Sequence, residues 1–257
     1  MKNKIKNFLD KKNKRKLICL TSYNKSISCI LDKYCDLILV GDSLANVLYG
    51  MKTTHNLKLE TMINHAKSVK LGTKNSLLVV DMPKNSYKNP NQAVKNAKLI
   101  IKKTGCDAIK IENNLYNLNI VKALKKSKID VMGHIGYTPQ FKKKFKAEGK
   151  NRKEQIKLLK QAQNIEKAGA FSIVLECISK KTANKITQSV KIPTIGIGSS
   201  NVCDGQILVT DDMLGISGFY PKFVKKFVNL EKIIENSIKK YKKEIISKKF
   251  PNNSYSF

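Results

Sequence analysis

A lysine and a glutamate stand two positions apart at the end of a short apolar run, Ala108-Ile-Lys-Ile-Glu112. Side chains of an extended strand alternate between its faces, so Lys110 and Glu112 share one face and the two isoleucines take the other. A buried charged pair is costly unless further charges compensate it. The spacing therefore predicts a charged site at the end of this strand.

Two more apolar runs end in an acid, Leu37–Asp42 and Leu77–Asp81. If the three strands are neighbours, they bring Asp42, Asp81 and Glu112 to one edge of a sheet. Oxygen ligands without cysteine, and without a group of histidines, favour a small hard cation such as Mg²⁺. We predict that these carboxylates bind Mg²⁺ and that Lys110 binds an anionic substrate.

Further polar residues stand at strand ends: Ser43 follows Asp42 at the end of the second strand, and His134, Glu176 and Ser199 lie at the ends of the fifth, sixth and seventh strands. Taken singly, each has a structural explanation: an aspartate could cap a helix, and His134 could be a core histidine. Taken together they favour a site. Mg²⁺ chelated by a 2-oxo acid would acidify the carbon beside the carbonyl, and Glu176 is the candidate base, its alternative role being support of the metal ligands.

Apolar strand candidates alternate with helical stretches along the whole chain, which predicts parallel strands covered by helices. The predicted strands are Leu17–Tyr23, Leu37–Asp42, Ser76–Met82, Ala108–Glu112, Asp130–Gly136, Phe171–Cys177, Pro193–Ser199 and Gly205–Asp211. The predicted helices are Ser26–Tyr34, Glu60–Leu71, Asn91–Lys103, Leu118–Lys126, Lys153–Ala168 and Lys180–Val190.

Eight strands favour a closed α/β fold, a single (β/α)8 TIM barrel over residues 1–257, rather than an open sheet. The final strand is the least regular, and Gly205–Leu214 could instead be helical. An N-terminal amphipathic helix within residues 1–16 and C-terminal helices from Pro221 to Lys249 complete the prediction. The long connections Leu44–Leu59 and Tyr137–Arg152 follow strands, so we expect both to border the site.

Composition sets limits on function. The formal net charge is +31, carried by 50 lysines and arginines against 19 acids. Only Arg15 and Arg152 are arginines, whereas base and phosphate recognition favours arginine. The lysines are spread along the chain, so we expect a solvated basic surface and no specific nucleic-acid binding.

The remaining composition predicts a soluble protein without a membrane span. No apolar stretch approaches the roughly 20 residues that a span needs, and the basic N-terminus lacks the apolar segment of a secretory signal, which argues for the cytoplasm. The six cysteines are irregularly spaced, so we interpret them as reduced and mostly buried. Cys177, beside Glu176, is the one to test for reactivity.

Several short motifs, in order along the chain, resemble the ketopantoate hydroxymethyltransferase family. They are Leu39-Val-Gly-Asp-Ser-Leu44, Asp81-Met-Pro83, Ile109-Lys-Ile-Glu112, Gly133-His-Ile-Gly-Tyr-Thr-Pro-Gln140, Leu175-Glu-Cys177, Ile195-Gly-Ile-Gly-Ser199, Cys203-Asp-Gly-Gln-Ile-Leu-Val209 and Pro221-Lys-Phe223. Any one of these is weak, but their order and spacing are specific.

The resemblance implies a Mg²⁺-dependent barrel enzyme that transfers a one-carbon unit from 5,10-methylenetetrahydrofolate to 3-methyl-2-oxobutanoate, giving 2-dehydropantoate. It also implies a cytoplasmic homodecamer. Each implied role is assigned to a position that matches the family's motifs. The metal would be held by Asp42, Asp81 and Glu112, the oxo acid by Asp42, Ser43, Asp81 and Lys110, with His134 in support and Glu176 as proton acceptor.

The chain departs from the family's usual pattern at three places. Asn24 replaces an acid, Lys84 replaces an aromatic residue, and the segment 141–149 is shortened and lacks paired glycines. We expect these changes to affect folate binding more than the reaction type.

Two other functions remain open from the residues. One is a Mg²⁺-dependent 2-oxo-acid lyase of the isocitrate lyase type, although no catalytic cysteine loop of the Lys-Lys-Cys-Gly kind is present. The other is a basic nucleic-acid-binding protein on a barrel scaffold, against which the scarcity of arginine and the intact carboxylates argue.

Overall fold

Eight parallel strands close into a barrel in the order in which they occur in the chain. The computed structural model describes residues 2–113, 117–142, 146–218 and 220–257. The strands are β1 Leu17–Thr21, β2 Leu37–Val40, β3 Leu77–Asp81, β4 Ala108–Lys110, β5 Val131–Gly136, β6 Ser172–Glu176, β7 Thr194–Ile197 and β8 Gly205–Leu208. The predicted (β/α)8 fold is confirmed.

Helices follow the strands as expected, and several begin at a capping side chain. The helices are α1 Lys2–Leu9, α2 Lys25–Leu31, α3 Leu44–Val47, α4 Leu59–Gly72, α5 Pro90–Thr104, α6 Leu118–Lys126, α7 Arg152–Lys167, α8 Lys180–Ser189, α9 Thr210–Leu214 and α10 Leu230–Ile246. Asn24, Asn89 and Asn151 each accept a hydrogen bond from the first turn of the helix that follows, satisfying an amide that the helix leaves unpaired.

The apolar residues form two layers. One layer contains the outward side chains of the strands, such as Ile38 and Val80, packed against the surrounding helices. The other fills the barrel with the alternate residues of the same strands, such as Leu37 and Val79. Because strands buried on both faces carry near-continuous apolar runs, β2 reads Leu-Ile-Leu-Val and is buried throughout.

The predicted N-terminal helix is present and covers one end of the barrel. Ile5 and Phe8 of α1 belong to the inner apolar layer, and the ring of Phe8 meets that of Phe171 edge-on with 6.0 Å between centroids. The helix is shorter than the predicted 1–16 stretch. Past its end the chain turns at Asn13, whose φ of 63° is incompatible with a continuing helix.

The end of the chain corrects two expectations. The segment from Gly205 is first a strand and then a short helix, α9, so both readings of it were partly right. Beyond Pro221 the described residues contain a single helix, α10, which begins only after the Asn229 cap. Residues Met1–Val209 and Thr210–Phe257 form two compact units, and the single catalytic domain over 1–257 stays a prediction.

Candidate active site

All seven predicted site residues line one cavity of about 120 Å³ at the carboxyl ends of the strands. They are Asp42, Ser43, Asp81, Lys110, Glu112, His134 and Glu176. Both long loops also reach it, through Asn46 and Thr54 on one side and Pro139 on the other. Ser199 is not among the lining residues; its hydroxyl donates to the carbonyl of Ile178.

Strand register sets the centre of this site. Asp81 of β3 and Lys110 of β4 are register partners, and Lys110 Nζ lies 2.8 Å from Asp81 Oδ1 in a buried ion pair. Burial raises the pKa of Asp81 to about 6, and Asp42 adds to the shift although Lys110 opposes it. Burial lowers the pKa of Lys110, but Asp81, Asp42 and Glu112 more than offset this, so the lysine stays charged.

Asp42 and Glu112 lie in the same cavity on either side of this pair. The backbone N–H of Asp42 donates to Asp81 Oδ2 at 3.0 Å. Glu112 is 1% exposed, and burial and the charge of Asp42 hold its pKa well above the usual range. Several carboxylates therefore share a space with a single buried lysine, and the ionised forms repel one another.

Glu176 and His134 form the opposite wall. His134 Nε2 lies 3.1 Å from Glu176 Oε2 and Nδ1 lies 3.9 Å from Glu112 Oε1. Even so, neither ring nitrogen meets a partner in hydrogen-bond geometry within the described residues. Burial, with Lys110 nearby, lowers the pKa of His134, so the ring is neutral. Burial raises the pKa of Glu176 to about 8, which suits a group that exchanges a proton near neutral pH.

Two residues that the sequence reading left unassigned belong to the site. Gln140 is 1% exposed and contacts Asp42 and Glu112 directly. Thr54 lines the cavity, is 4% exposed, and its hydroxyl lacks a hydrogen-bond partner among the described residues. The position of Gln140 at the end of a quoted motif was the only sequence signal for either, because loop geometry decides where such side chains point.

The three departures from the family pattern have different structural outcomes. Asn24 caps α2 and lies outside the cavity. Lys84 Nζ lies 3.2 Å from His55 Nδ1, and His55 Nε2 lies 3.0 Å from the Pro139 carbonyl, so these residues join three loops above the strands. Of the segment 141–149, residues 143–145 lie outside the described residues.

The Cys177 thiol, next in the chain to Glu176, is buried as predicted. Cys177 is buried and unpaired, and burial together with Glu176 raises its pKa to about 12. A thiol with so high a pKa forms little thiolate at neutral pH and is a poor nucleophile.

Comparison with known proteins identifies the family to which these motifs belong. The sequence model described as ketopantoate hydroxymethyltransferase matches residues 2–253. The chain belongs to this family. It is 51% identical to the 3-methyl-2-oxobutanoate hydroxymethyltransferase of Pelagibacter ubique (strain HTCC1062) over the full length of both chains. It is 44% identical to the protein of that name from Anaplasma marginale (strain Florida), covering 98% of this chain and 93% of that one.

Solved structures agree on the fold of this ketopantoate hydroxymethyltransferase family member. A 2,3-dimethylmalate lyase of the PEP mutase/isocitrate lyase superfamily superposes with a TM-score of 0.60, covering 94% of this chain and 86% of that one. The identity is 11%, so the likeness concerns the barrel alone. Family membership, which the sequence shows, leaves the lyase and nucleic-acid alternatives without support.

The three predicted metal ligands contact protein donors. Among the described residues no group of three or more histidine, cysteine or acidic side chains is arranged as a ready metal site. Instead, at least one oxygen of each predicted ligand contacts a protein donor. Lys110 pairs with Asp81, and Gln140 donates to Asp42 and Glu112. Within the part of the chain that the structure describes, no helix is both long and apolar enough to cross a bilayer.

Proposed function

We propose that this protein is a Mg²⁺-dependent 3-methyl-2-oxobutanoate hydroxymethyltransferase acting in pantothenate synthesis. It would transfer the one-carbon unit of 5,10-methylenetetrahydrofolate to 3-methyl-2-oxobutanoate, consume one water that supplies the new hydroxyl group, and release 2-dehydropantoate and tetrahydrofolate. The observation that carries the proposal is the convergence of all seven predicted site residues on one cavity in a chain whose full-length relatives bear that name.

The donor set of the cavity fits a small divalent cation. Asp42, Asp81 and Glu112 offer only carboxylate oxygens, the ligands that Mg²⁺ prefers. The raised pKa values of Asp81 and Glu112 indicate excess negative charge in a buried space, which a bound cation would relieve. When bound, Mg²⁺ would polarise the 2-oxo group of the substrate and so acidify C3.

Lys110 and Ser43 would bind the oxo acid. Lys110 remains charged and lines the cavity, where a substrate carboxylate can approach it. Ser43 Oγ shares a hydrogen bond of 2.8 Å with Tyr23 Oη, which fixes the hydroxyl at the cavity wall. A cation and two polar side chains would then orient the substrate for proton removal.

Glu176 would remove the C3 proton and hold it while C3 forms its new bond to the folate one-carbon unit. His134 beside it is neutral and lacks a partner in hydrogen-bond geometry among the described residues, so it can donate to the substrate or to the glutamate. Because Glu176 acts in its ionised form, activity should rise with pH as this group ionises, its pKa being about 8 in the unliganded cavity.

The assembly and the cellular location are further parts of the proposal. Family membership supports a homodecamer in the cytoplasm. Light scattering on the protein as it elutes from a size-exclusion column would test the assembly, since a decamer has ten times the mass of the 29.0 kDa chain.

The direct test combines both substrates with and without metal. Purified protein, 3-methyl-2-oxobutanoate, methylenetetrahydrofolate and Mg²⁺ should yield 2-dehydropantoate, detected by mass spectrometry, and a chelator should suppress it. Product formed equally with chelator would reject the metal role. Absence of product under all conditions, with both substrates present, would reject the proposed function.

A further inference from the structure

Gln140 makes contacts with four residues on three segments at the carboxyl end of the barrel. Its backbone N–H donates to Glu112 Oε2 at 2.9 Å. Its side-chain Nε2 donates to Asp42 Oδ2 at 2.8 Å and to the Met82 carbonyl at 3.1 Å. Its Oε1 accepts from the hydroxyl of Tyr87 at 2.5 Å. One buried residue thus joins the ends of β2, β3 and β4.

Hydrogen bonds at both ends of the Gln140 side-chain amide fix its orientation. Burial raises the pKa of Tyr87, so the phenol keeps its proton and donates it to Oε1. Reversing the amide would place its oxygen against the Asp42 carboxylate and the Met82 carbonyl, both acceptors. The NH₂ group must therefore face Asp42.

These contacts use the full hydrogen-bonding capacity of the Nε2 group, since its two hydrogens go to Asp42 and Met82. The NH₂ group is consequently occupied by protein groups and has no hydrogen left to donate to a substrate. Gln140 engages one oxygen of Asp42 and one of Glu112, carboxylates that would otherwise repel each other in a buried cavity. Its chemistry suits holding these two side chains in place.

We propose that Gln140 is a positioning residue that orients Asp42 and Glu112 for cation binding, with Tyr87 setting the direction of its amide. This inference rests on the proposed function, which assigns the metal to these carboxylates. Partners behind metal ligands typically change metal affinity by roughly 10–100-fold when removed. Gln140→Met keeps the length of the side chain and removes the two Nε2 donors to Asp42 and Met82. It leaves the backbone N–H that donates to Glu112, so the variant tests the hold on Asp42.

The experiment measures Mg²⁺ binding by isothermal titration calorimetry, without substrates, alongside the melting temperature. The variants are Gln140→Met and Tyr87→Phe. Tyr87→Phe removes only the hydroxyl that donates to Gln140 Oε1. The matched control is Gln206→Met, because the Gln206 amide donates to the Ser200 carbonyl, remote from the carboxylates. We expect the Mg²⁺ dissociation constant to rise at least tenfold in Gln140→Met, about threefold in Tyr87→Phe, and not in Gln206→Met.

Each other outcome has a definite meaning. If the wild-type chain binds Mg²⁺ and Gln140→Met binds it equally well, or only the melting temperature falls, the positioning role is overturned while the proposed function stands. If Gln140→Met does not fold, Tyr87→Phe decides, and an unchanged dissociation constant there overturns the role. If the wild-type chain does not bind Mg²⁺, the metal assignment fails, and this inference with it.

Discussion

The two ends of the barrel hold buried carboxylates in opposite electrostatic conditions. At the amino ends of the strands, Asp36 pairs with Arg15 and Lys11 and accepts from the Ile18 N–H. Burial alone would raise the pKa of Asp36, but these partners outweigh it and the pKa is lowered. At the carboxyl ends, Asp81 and Glu112 have raised pKa values because burial and neighbouring carboxylates outweigh one lysine.

The same contrast extends to other acids of the amino-terminal end. Asp107 accepts from the Leu78 N–H, and Asp204 accepts from the backbone and hydroxyl of Thr194 and pairs with Lys12. Carboxylates at this end are balanced by the protein itself. The negative charge of Asp81 and Glu112 at the other end is not balanced in this way, and their pKa values are raised.

The largest effect is expected at the proposed base. Glu176→Gln keeps the shape of the side chain but cannot accept a proton. Exchange of the C3 proton of 3-methyl-2-oxobutanoate into deuterated water, followed by NMR with Mg²⁺ present, should slow by about 10²–10⁴-fold. Binding of the oxo acid should persist, and exchange at the wild-type rate would remove Glu176 from this role.

Breaking the buried ion pair of the site should cost more stability than breaking a surface pair. Lys110→Met leaves Asp81 buried without its counter-charge, and we expect a loss of about 3–5 kcal/mol in chemical denaturation. Lys125→Met is the control, because the Lys125–Asp130 pair has side-chain exposures of 52% and 30% and should contribute under about 1 kcal/mol. Equal losses would contradict the contrast between buried and exposed pairs.

Neutralising one acid at each end should change stability in different directions. Asp36→Asn should lower the unfolding free energy at pH 7 by about 1–3 kcal/mol, since it weakens charged hydrogen bonds. Glu112→Gln should leave it unchanged or raise it, because an uncompensated buried charge is removed. A clear loss in Glu112→Gln, as large as in Asp36→Asn, would show that both ends are balanced alike.

The Asp36 effect should depend on pH. Its folded pKa is lowered, so its contribution is present above the unfolded value of about 3.9 and is lost as the pH falls through the folded value. The difference in melting temperature between wild type and Asp36→Asn should therefore shrink below about pH 4. A difference that is constant from pH 7 to pH 3 would contradict this linkage.

The smallest effect is expected at an unpaired hydroxyl of the site. Thr54→Val removes a buried hydroxyl that lacks a partner among the described residues, and should raise stability by about 1 kcal/mol. The Thr104 hydroxyl, by contrast, donates to the Ile100 carbonyl and accepts from the Cys106 N–H. Thr104→Val should therefore lower the stability by a similar amount. Loss of stability in both variants would mean that Thr54 is satisfied in solution.

The period of the apolar residues was sufficient to predict the barrel. Each strand in the structure lies within its predicted range, with ends up to three residues shorter, as for β8. The seven site residues followed from one rule, that polar residues ending parallel strands meet at one edge. The same rule also selected Ser199, which does not line the cavity. Both depend on short-range patterns that side-chain alternation fixes.

What the sequence reading missed depends on loops and on the other end of the barrel. The bridging position of Gln140 follows from the path of the loop after β5, for which the sequence has no periodic signal. The balanced acids did have one: Asp36, Asp107, Asp130 and Asp204 each stand one residue before a strand. An aspartate that recurs just before a strand is a sequence signal for charged or hydrogen-bonding partners at the amino ends of the strands. Polar residues at the carboxyl ends of the strands carry no such signal.

The most direct test of the account is a crystal structure with Mg²⁺ and 3-methyl-2-oxobutanoate soaked together. The account predicts density for a cation bounded by carboxylate oxygens of Asp42, Asp81 and Glu112, with the oxo acid against it and Glu176 facing C3. Those three side chains turned away from one another, with no density between them, would contradict it.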